Sequence, residues 1–199
     1  MTKRQEKAQI TKEKIIKAAE ILLKNSCFEN ISVEDITKYA DTAKGTFYTY
    51  FKKKEDVIYE IGYAAFRLLA EKVENMKDEA VEQKVYAYFE GSILLIEKFG
   101  INLCRQWIKD VINPNEMGNT EYTKWHFDTD VFKKILKEAA AKGELKQDMP
   151  VDMTAYLIII QIYGMMVCWC MSDSEFELSK WIDKFFNLNI LSIINQYKN

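Results

Sequence analysis

A chain of 199 residues with 48% hydrophobic and 29% charged residues is large and apolar enough to build a core without disulfide or metal staples. Only two prolines and seven glycines punctuate it, which argues against a strand-rich fold and for an all-α one. The net charge of −2 gives no global basic character, and the internal division is slight: residues 1–60 hold 12 Lys+Arg against 10 Asp+Glu, the remainder 16 against 20.

The basic, polar start Met1–Lys7 has no apolar segment behind it, so no secretory signal is expected and a cytoplasmic protein is. The first dozen residues read as disordered. Thr11 reads as the N-cap of a helix to about Asn25, with Ile15, Ala19 and Leu22 on one face. After a short loop, Ile31-Ser32-Val33-Glu34-Asp35-Ile36 carries a helix-start signature. Ser32 can accept from the Asp35 amide, Glu34 and Asp35 suit the positive end of the helix dipole, and Ile31 can staple onto Ile36. This helix is predicted to end near Ala40. Asp41-Thr42-Ala43 is a tight turn, and a second short helix over Lys44–Phe51 buries Phe47 and Phe51. A long helix then opens around Lys52–Asp56 and runs to about Lys77. A supporting helix followed by two short ones across a three-residue turn is a helix-turn-helix unit.

Beyond residue 77 the pattern stays helical. Gln83, Glu90 and Glu97 recur every seventh residue over Val81–Phe99 and read as one solvated stripe. Asn113–Asn119 is the clearest loop. A helix from about Trp125 to Lys142 stops at Gly143, and Pro150 fits the first turn of the next helix, to about Met171. A last helix spans roughly Glu175 to Tyr197, with Leu178, Trp181, Ile182, Phe185 and Phe186 on its apolar stripe. The longest apolar run, Tyr156–Met171, is shorter than a membrane span and reads as a buried core helix, so no membrane contact is expected. Four cysteines (Cys27, Cys104, Cys168, Cys170) without a CxxC pair, and the lone His126, predict reduced thiols and no metal site. With no nucleophile motif and no Gly-rich phosphate loop, neither an enzyme nor a cofactor is expected.

The second short helix carries the chemistry. With Phe47 and Phe51 inside, it turns Lys44, Gly45, Thr46, Tyr48, Thr49 and Tyr50 outward: a cation, hydroxyls and a glycine that lets backbone approach backbone. Phosphate oxygens accept from cations, hydroxyls and amides. Lys54 adds a charge beside the amide-rich start of the following helix.

The stretch from Ile31 to Asp56, with the helix before it, closely resembles the DNA-binding domain of the TetR/AcrR family over about residues 10–62. Ile135–Leu145, with its Gly143-Glu144 turn, resembles a helix end common in that family's regulatory domain. Two positions depart from the pattern. Asp41 stands where glycine is usual and bears on the turn, since aspartate tolerates left-handed backbone less freely. Thr42 replaces an apolar residue and adds a hydroxyl.

The resemblance implies a three-helix DNA-binding domain over 1–60 and a helical ligand-binding and dimerisation domain over 61–199. It implies a homodimer in which the last two helices of each chain form a four-helix bundle. Two recognition helices would read major-groove half-sites roughly 34–36 Å apart on a near-palindromic operator in duplex DNA. Carried over by position, Lys44, Tyr48, Tyr50 and Lys54 are phosphate anchors, and Thr42, Gly45, Thr46 and Thr49 are candidates for base edges. The implied function is a repressor released by a small apolar or aromatic effector; the alternative is a helical interaction module of the same fold without ligand-gated DNA binding.

Candidates for the effector site are Phe66, Phe89, Trp107, Gln161, Met165 and Trp169, a mainly aromatic and apolar set with a polar group to orient a ligand. The same residue types build any helical core, and the sequence leaves both readings open. Thr154, Gln161 and Cys168, seven apart, either face a pocket or pair across a dimer seam.

Overall fold

The computed structural model describes residues 3–26, 28–112 and 123–199, and these are helical almost throughout. Two compact units emerge: one from the described parts of 1–65 and 102–119, the other from those of 66–101 and 120–199.

In the first unit, α1 (Lys3–Asn25) runs through Thr11, whose hydroxyl donates to Lys7 O at 2.8 Å instead of capping a helix. The segment expected to be disordered is therefore helical from Lys3, supported by pairs such as Gln9 to Glu13 at 2.8 Å. Its polar first turns have no apolar face, so they carry no period to read. Further along, Ile15, Ala18, Ala19 and Leu23 form the buried face; Leu22, expected there, is half-buried.

A 3-10 turn (Phe28–Asn30) leads to α2 (Val33–Tyr39). The predicted cap is present: the Asp35 amide donates to Ser32 Oγ at 3.1 Å, and the Ser32 amide donates to the Asp35 carboxylate at 2.8 Å. The Ser32 hydroxyl also donates to this carboxylate at 2.6 Å, and with the amide it holds the Asp35 carboxyl below its ordinary range. Asp41 takes the left-handed conformation, φ +52°, that a glycine would adopt more readily. The turn is closed by the Thr42 amide donating to Thr37 O at 2.9 Å. α3 (Lys44–Tyr50) follows, then α4 (Glu55–Glu74), which ends short of the predicted Lys77. α6 (Ile101–Ile112) contributes Leu103 and Cys104 to the buried set with Ile15, Ile36, Phe47 and Val57.

In the second unit, α5 (Val81–Phe99) and α8 (Val151–Met171) each run antiparallel to α7 (Lys124–Ala141). The registers are set by contacts. Lys84 pairs with Glu138 at 3.5 Å and Tyr88 meets Phe132 edge-on at 5.2 Å, while Lys133 pairs with Asp152 at 3.0 Å and the Trp125 ring lies tilted to that of Tyr163 at 5.8 Å. Gly143 ends α7 at φ +77°, as its type predicts, and the Val81 amide donates to the Glu144 carboxylate at 2.8 Å, which caps α5. The predicted solvated residue Glu90 is half-exposed and accepts from the Tyr86 hydroxyl at 3.3 Å.

One expectation is corrected here. The C-terminal helix is broken into a 3-10 turn (Leu178–Trp181), α9 (Ile182–Phe185), a π turn (Phe186–Ile190) and α10 (Leu191–Asn195). As expected, α8, among the described residues the one helix long and apolar enough to cross a membrane, is a core helix, and it also carries an exposed apolar face. Ile158, Ile159, Ile162 and Met166 are buried, whereas Met153, Leu157, Ile160 and Met171 are exposed. Thr154 lies in the core and Cys168 outside it, because a seven-residue repeat drifts about 20° per step on a straight helix. The predicted loop Asn113–Asn119 lies outside the described residues.

Leu136, fully buried on α7, anchors the second unit. Leu136→Ala is expected to cost about 2–5 kcal/mol through lost burial and a residual cavity. Urea unfolding followed by circular dichroism checks this; a loss under about 1 kcal/mol would mean the α5–α7–α8 core repacks around the gap.

Candidate nucleic-acid interface

Phe47 is fully buried on α3 and Phe51 nearly so, with ring centroids 5.3 Å apart, so the remaining α3 side chains fall on the outer face. Lys44, Gly45, Tyr48 and Thr49 are exposed, and Thr46 and Tyr50 are half-buried. Tyr48 packs edge-on against Phe47 at 5.4 Å and leaves its hydroxyl end at the surface. Thr49 donates back to Gly45 O at 3.2 Å, a bond a helical hydroxyl exchanges easily.

The two lysines of the set differ in their commitments. Lys44 pairs with Glu34 of α2 across the turn, and both side chains are more than half exposed. Each shifts the other: the hydrogen bond from Lys44 holds the Glu34 carboxyl below the usual carboxylate range, and Glu34 holds Lys44 above the usual lysine range. So exposed a pair exchanges readily for another anion. Lys54 is tied down: its ammonium donates to Phe28 O and Ile31 O, both at 2.7 Å, and sits 4.0 Å from the Phe28 ring centre. It clamps the 3-10 turn to the start of α4 and keeps one of its three hydrogens for a further acceptor. The nearby amides of Lys52 and Lys53 donate to Asp56 at 2.8 and 3.1 Å.

Thr42 turns its hydroxyl oxygen inward, where it has no partner among the described residues. Around Gly45 the surroundings are open: a Cβ there would meet nothing within 4 Å. Nothing inside the protein requires glycine at this position.

The effector candidates are divided between the two units. Phe66, Phe89, Met165 and Trp169 are buried in the second unit and Gln161 is half-buried there. Phe89 stacks on Phe185 at 6.0 Å, and Trp169 Nε1 donates to Phe176 O at 2.9 Å. Trp107 belongs to the first unit, its ring against Gly62. An open cleft of about 500 Å³ in the second unit is lined by Glu74, Lys77, Asp78, Glu138, Ala141 and Lys142, none of them a candidate. Lys124, Asp128 and Tyr163, which sequence reasoning passed over, form a hydrogen-bonded group with Tyr88 in the second unit.

Residues 15–61 match the family described as bacterial regulatory proteins, tetR family, and residues 124–192 the one described as YsiA-like protein, C-terminal region. Over 189 residues the chain is 23% identical to the fatty acid metabolism regulator protein of Bacillus subtilis (strain 168), a match spanning 92% of this chain and 95% of that protein. Its fold is similar to that of FadR from Bacillus subtilis in complex with stearoyl-CoA, with a TM-score of 0.68 at 22% identity over 92% and 97% of the two chains. It is also similar to Thermus thermophilus FadR, a transcriptional repressor, in complex with lauroyl-CoA, with a TM-score of 0.68 at 22% identity over 89% and 92%.

The open space at Gly45 yields a test. Alanine is the better helix former by about 1 kcal/mol, so Gly45→Ala is expected to leave thermal stability unchanged or raised. If duplex DNA presses against this backbone, the same substitution lowers DNA affinity. Thermal melts and fluorescence anisotropy read the two effects separately, and undiminished affinity would remove Gly45 from the interface.

Proposed function

Because the chain belongs to the TetR family of bacterial regulators and binds DNA as one, we propose that it is a repressor released from its operator by a long-chain fatty-acyl compound. The observation that carries the DNA half is the outer face of α3, with Lys44 held only by an exposed partner. In this reading Lys44, Tyr48 and Tyr50 grip phosphates, and Lys54 lends its remaining hydrogen beside them. Gly45, Thr46 and Thr49 meet base edges, and Thr42 would have to turn its hydroxyl outward to join them. Binding exchanges the Lys44–Glu34 pair for a Lys44–phosphate contact and releases counterions.

The acyl class is supported by likeness to regulators crystallised with stearoyl-CoA and lauroyl-CoA, and by the match of residues 124–192. Phe66, Phe89, Gln161, Met165 and Trp169 are the proposed walls of its site. The effector acts by differential affinity, favouring an arrangement of the dimer in which the two α3 helices no longer fit successive major grooves.

The homodimer is proposed on the exposed apolar face of α8: Met153, Leu157, Ile160 and Met171, with Trp181 and Leu188 exposed on the C-terminal segment. So long a row of large apolar side chains is the kind of patch a two-fold contact buries. The repressor works in the cytoplasm, where its operator is.

Three measurements test these claims. Lys44→Ala is expected to weaken binding to all duplexes alike and to flatten the slope of log K against log salt by about 0.9; an unchanged slope takes Lys44 out of the phosphate set. Ile160→Asp is expected to yield a monomer in light scattering that no longer holds a two-half-site operator. In anisotropy titrations, stearoyl-CoA or lauroyl-CoA at saturation is expected to release the operator. Unaltered operator affinity would sink the acyl reading.

A further inference from the structure

Lys124 is the first residue of α7, where the positive end of the helix dipole disfavours a cation. Its ammonium pairs with Asp128 one turn on, and it lies 3.6 Å from the centre of the Phe66 ring. The same carboxylate accepts from the Tyr88 hydroxyl at 2.7 Å and from the Tyr163 hydroxyl at 2.9 Å. Asp128 is thus fully served, with three donors on its two oxygens.

Lys124 is not. Of its three hydrogens one meets Asp128 and one face meets the Phe66 ring; among the described residues no second oxygen accepts from it. Desolvation holds its pKa below the ordinary lysine value even though Asp128 opposes the shift. Ser92 repeats the deficit. It lies one turn along α5 from Tyr88, 1% exposed, and its hydroxyl has no partner among the described residues. Since α5 runs antiparallel to α7 and Tyr88 stands opposite Asp128 and Phe132, Ser92 falls at the level of the first turn of α7. The buried Ser92 hydroxyl and the partly covered Lys124 ammonium thus each hold a hydrogen with no acceptor among the described residues, a costly arrangement for the hydroxyl if it only fills a core. Access exists: 19% of the Lys124 side chain is exposed, against 6% of Asp128.

We propose that this is where the effector's acyl oxygen binds. The oxygen, from a fatty-acid carboxylate or from its thioester, accepts from Lys124 Nζ and Ser92 Oγ, while Asp128 and its two tyrosines hold Lys124 in place. The proposal rests on the reading of the second unit as an acyl-effector domain. It adds that the unit recognises the head of the chain, not only its apolar length.

The test uses the intact chain, isothermal titration calorimetry and three probes: lauroyl-CoA, S-dodecyl-CoA, which lacks only the carbonyl oxygen, and laurate. A hydrogen bond to a charged donor discriminates by roughly tenfold or more. The protein is therefore expected to bind lauroyl-CoA at least about tenfold more tightly than the thioether. Lys124→Met combined with Asp128→Asn replaces the ion pair by a neutral one and leaves no lone buried charge; this variant is expected to bind the two alike. Ser92→Ala, which removes only the unpartnered hydroxyl, serves if the double variant does not fold, and is expected to lose about threefold of the preference. Laurate binding that depends on Lys124 assigns the free acid as effector, and binding of lauroyl-CoA alone assigns the thioester. A preference that survives both variants, or none in the unaltered protein, overturns the proposal while leaving the acyl reading intact. If the unaltered protein binds none of the three probes, both fall.

Discussion

What α3 presents to the outside depends on the burial of one ring. Phe47 has no exposed surface, and on a helix of 3.6 residues per turn that single commitment settles the direction of every neighbour. Phe51 doubles the anchor one turn on. The turn before the helix sets where it starts: Asp41 takes a left-handed conformation and the Thr42 amide returns to Thr37 O at 2.9 Å. An aspartate pays more strain than glycine for this geometry, and the closure by backbone hydrogen bonds offsets part of it. The polar face of α3 is a consequence of what is buried beneath it.

The lysines show how burial divides one residue type into different tasks. Lys44 is exposed and paired with an equally exposed carboxylate, so solvent and salt screen the pair and a phosphate can replace Glu34 at little cost. Lys54 spends two donors on backbone carbonyls and works mainly inside its own unit. Lys124 is largely desolvated, and there a missing acceptor weighs far more than at the surface. Charge counting along the chain, with its near balance, cannot separate these cases.

Local chemistry was legible in the sequence and long-range burial was not. The Ser32–Asp35 cap, the turn at Asp41 and the Gly143 stop are decided within four residues, and each could be read directly. The same local logic failed at Thr11, because a threonine inside a polar helix carries the signal of a cap. It failed again beyond Glu175, where tertiary pairings such as the Lys146 amide to Tyr197 O hold the chain end and a π turn interrupts the helix. In the second unit Lys124 and Asp128 look like an ordinary i, i+4 surface pair. Phe66, Tyr88 and Tyr163, distant in sequence, gather on it. One signal was available: a lysine opening a helix works against the dipole, and such a residue warrants a reason.

The glycines carry this reasoning furthest, because in sequence Gly45, Gly62 and Gly91 look alike, each inside a helix where alanine would be the better residue. At Gly62 a Cβ would come within 2.3 Å of the Trp107 ring, and at Gly91 within 2.4 Å of Leu69. Those two answer to internal packing, the first strictly, since an indole ring in a packed interior yields less than the flexible end of a leucine. At Gly45 nothing lies within reach. No described residue accounts for the glycine at Gly45, nor for that at Gly164 in α8, where a Cβ would likewise meet nothing within 4 Å. The neighbours of Gly45 on that face, Lys44, Tyr48 and Thr49, carry donors of the kind that phosphate oxygens and base edges accept from. On the proposed reading the open backbone at Gly45 and the donors beside it serve the same partner, one on steric and the other on electrostatic grounds.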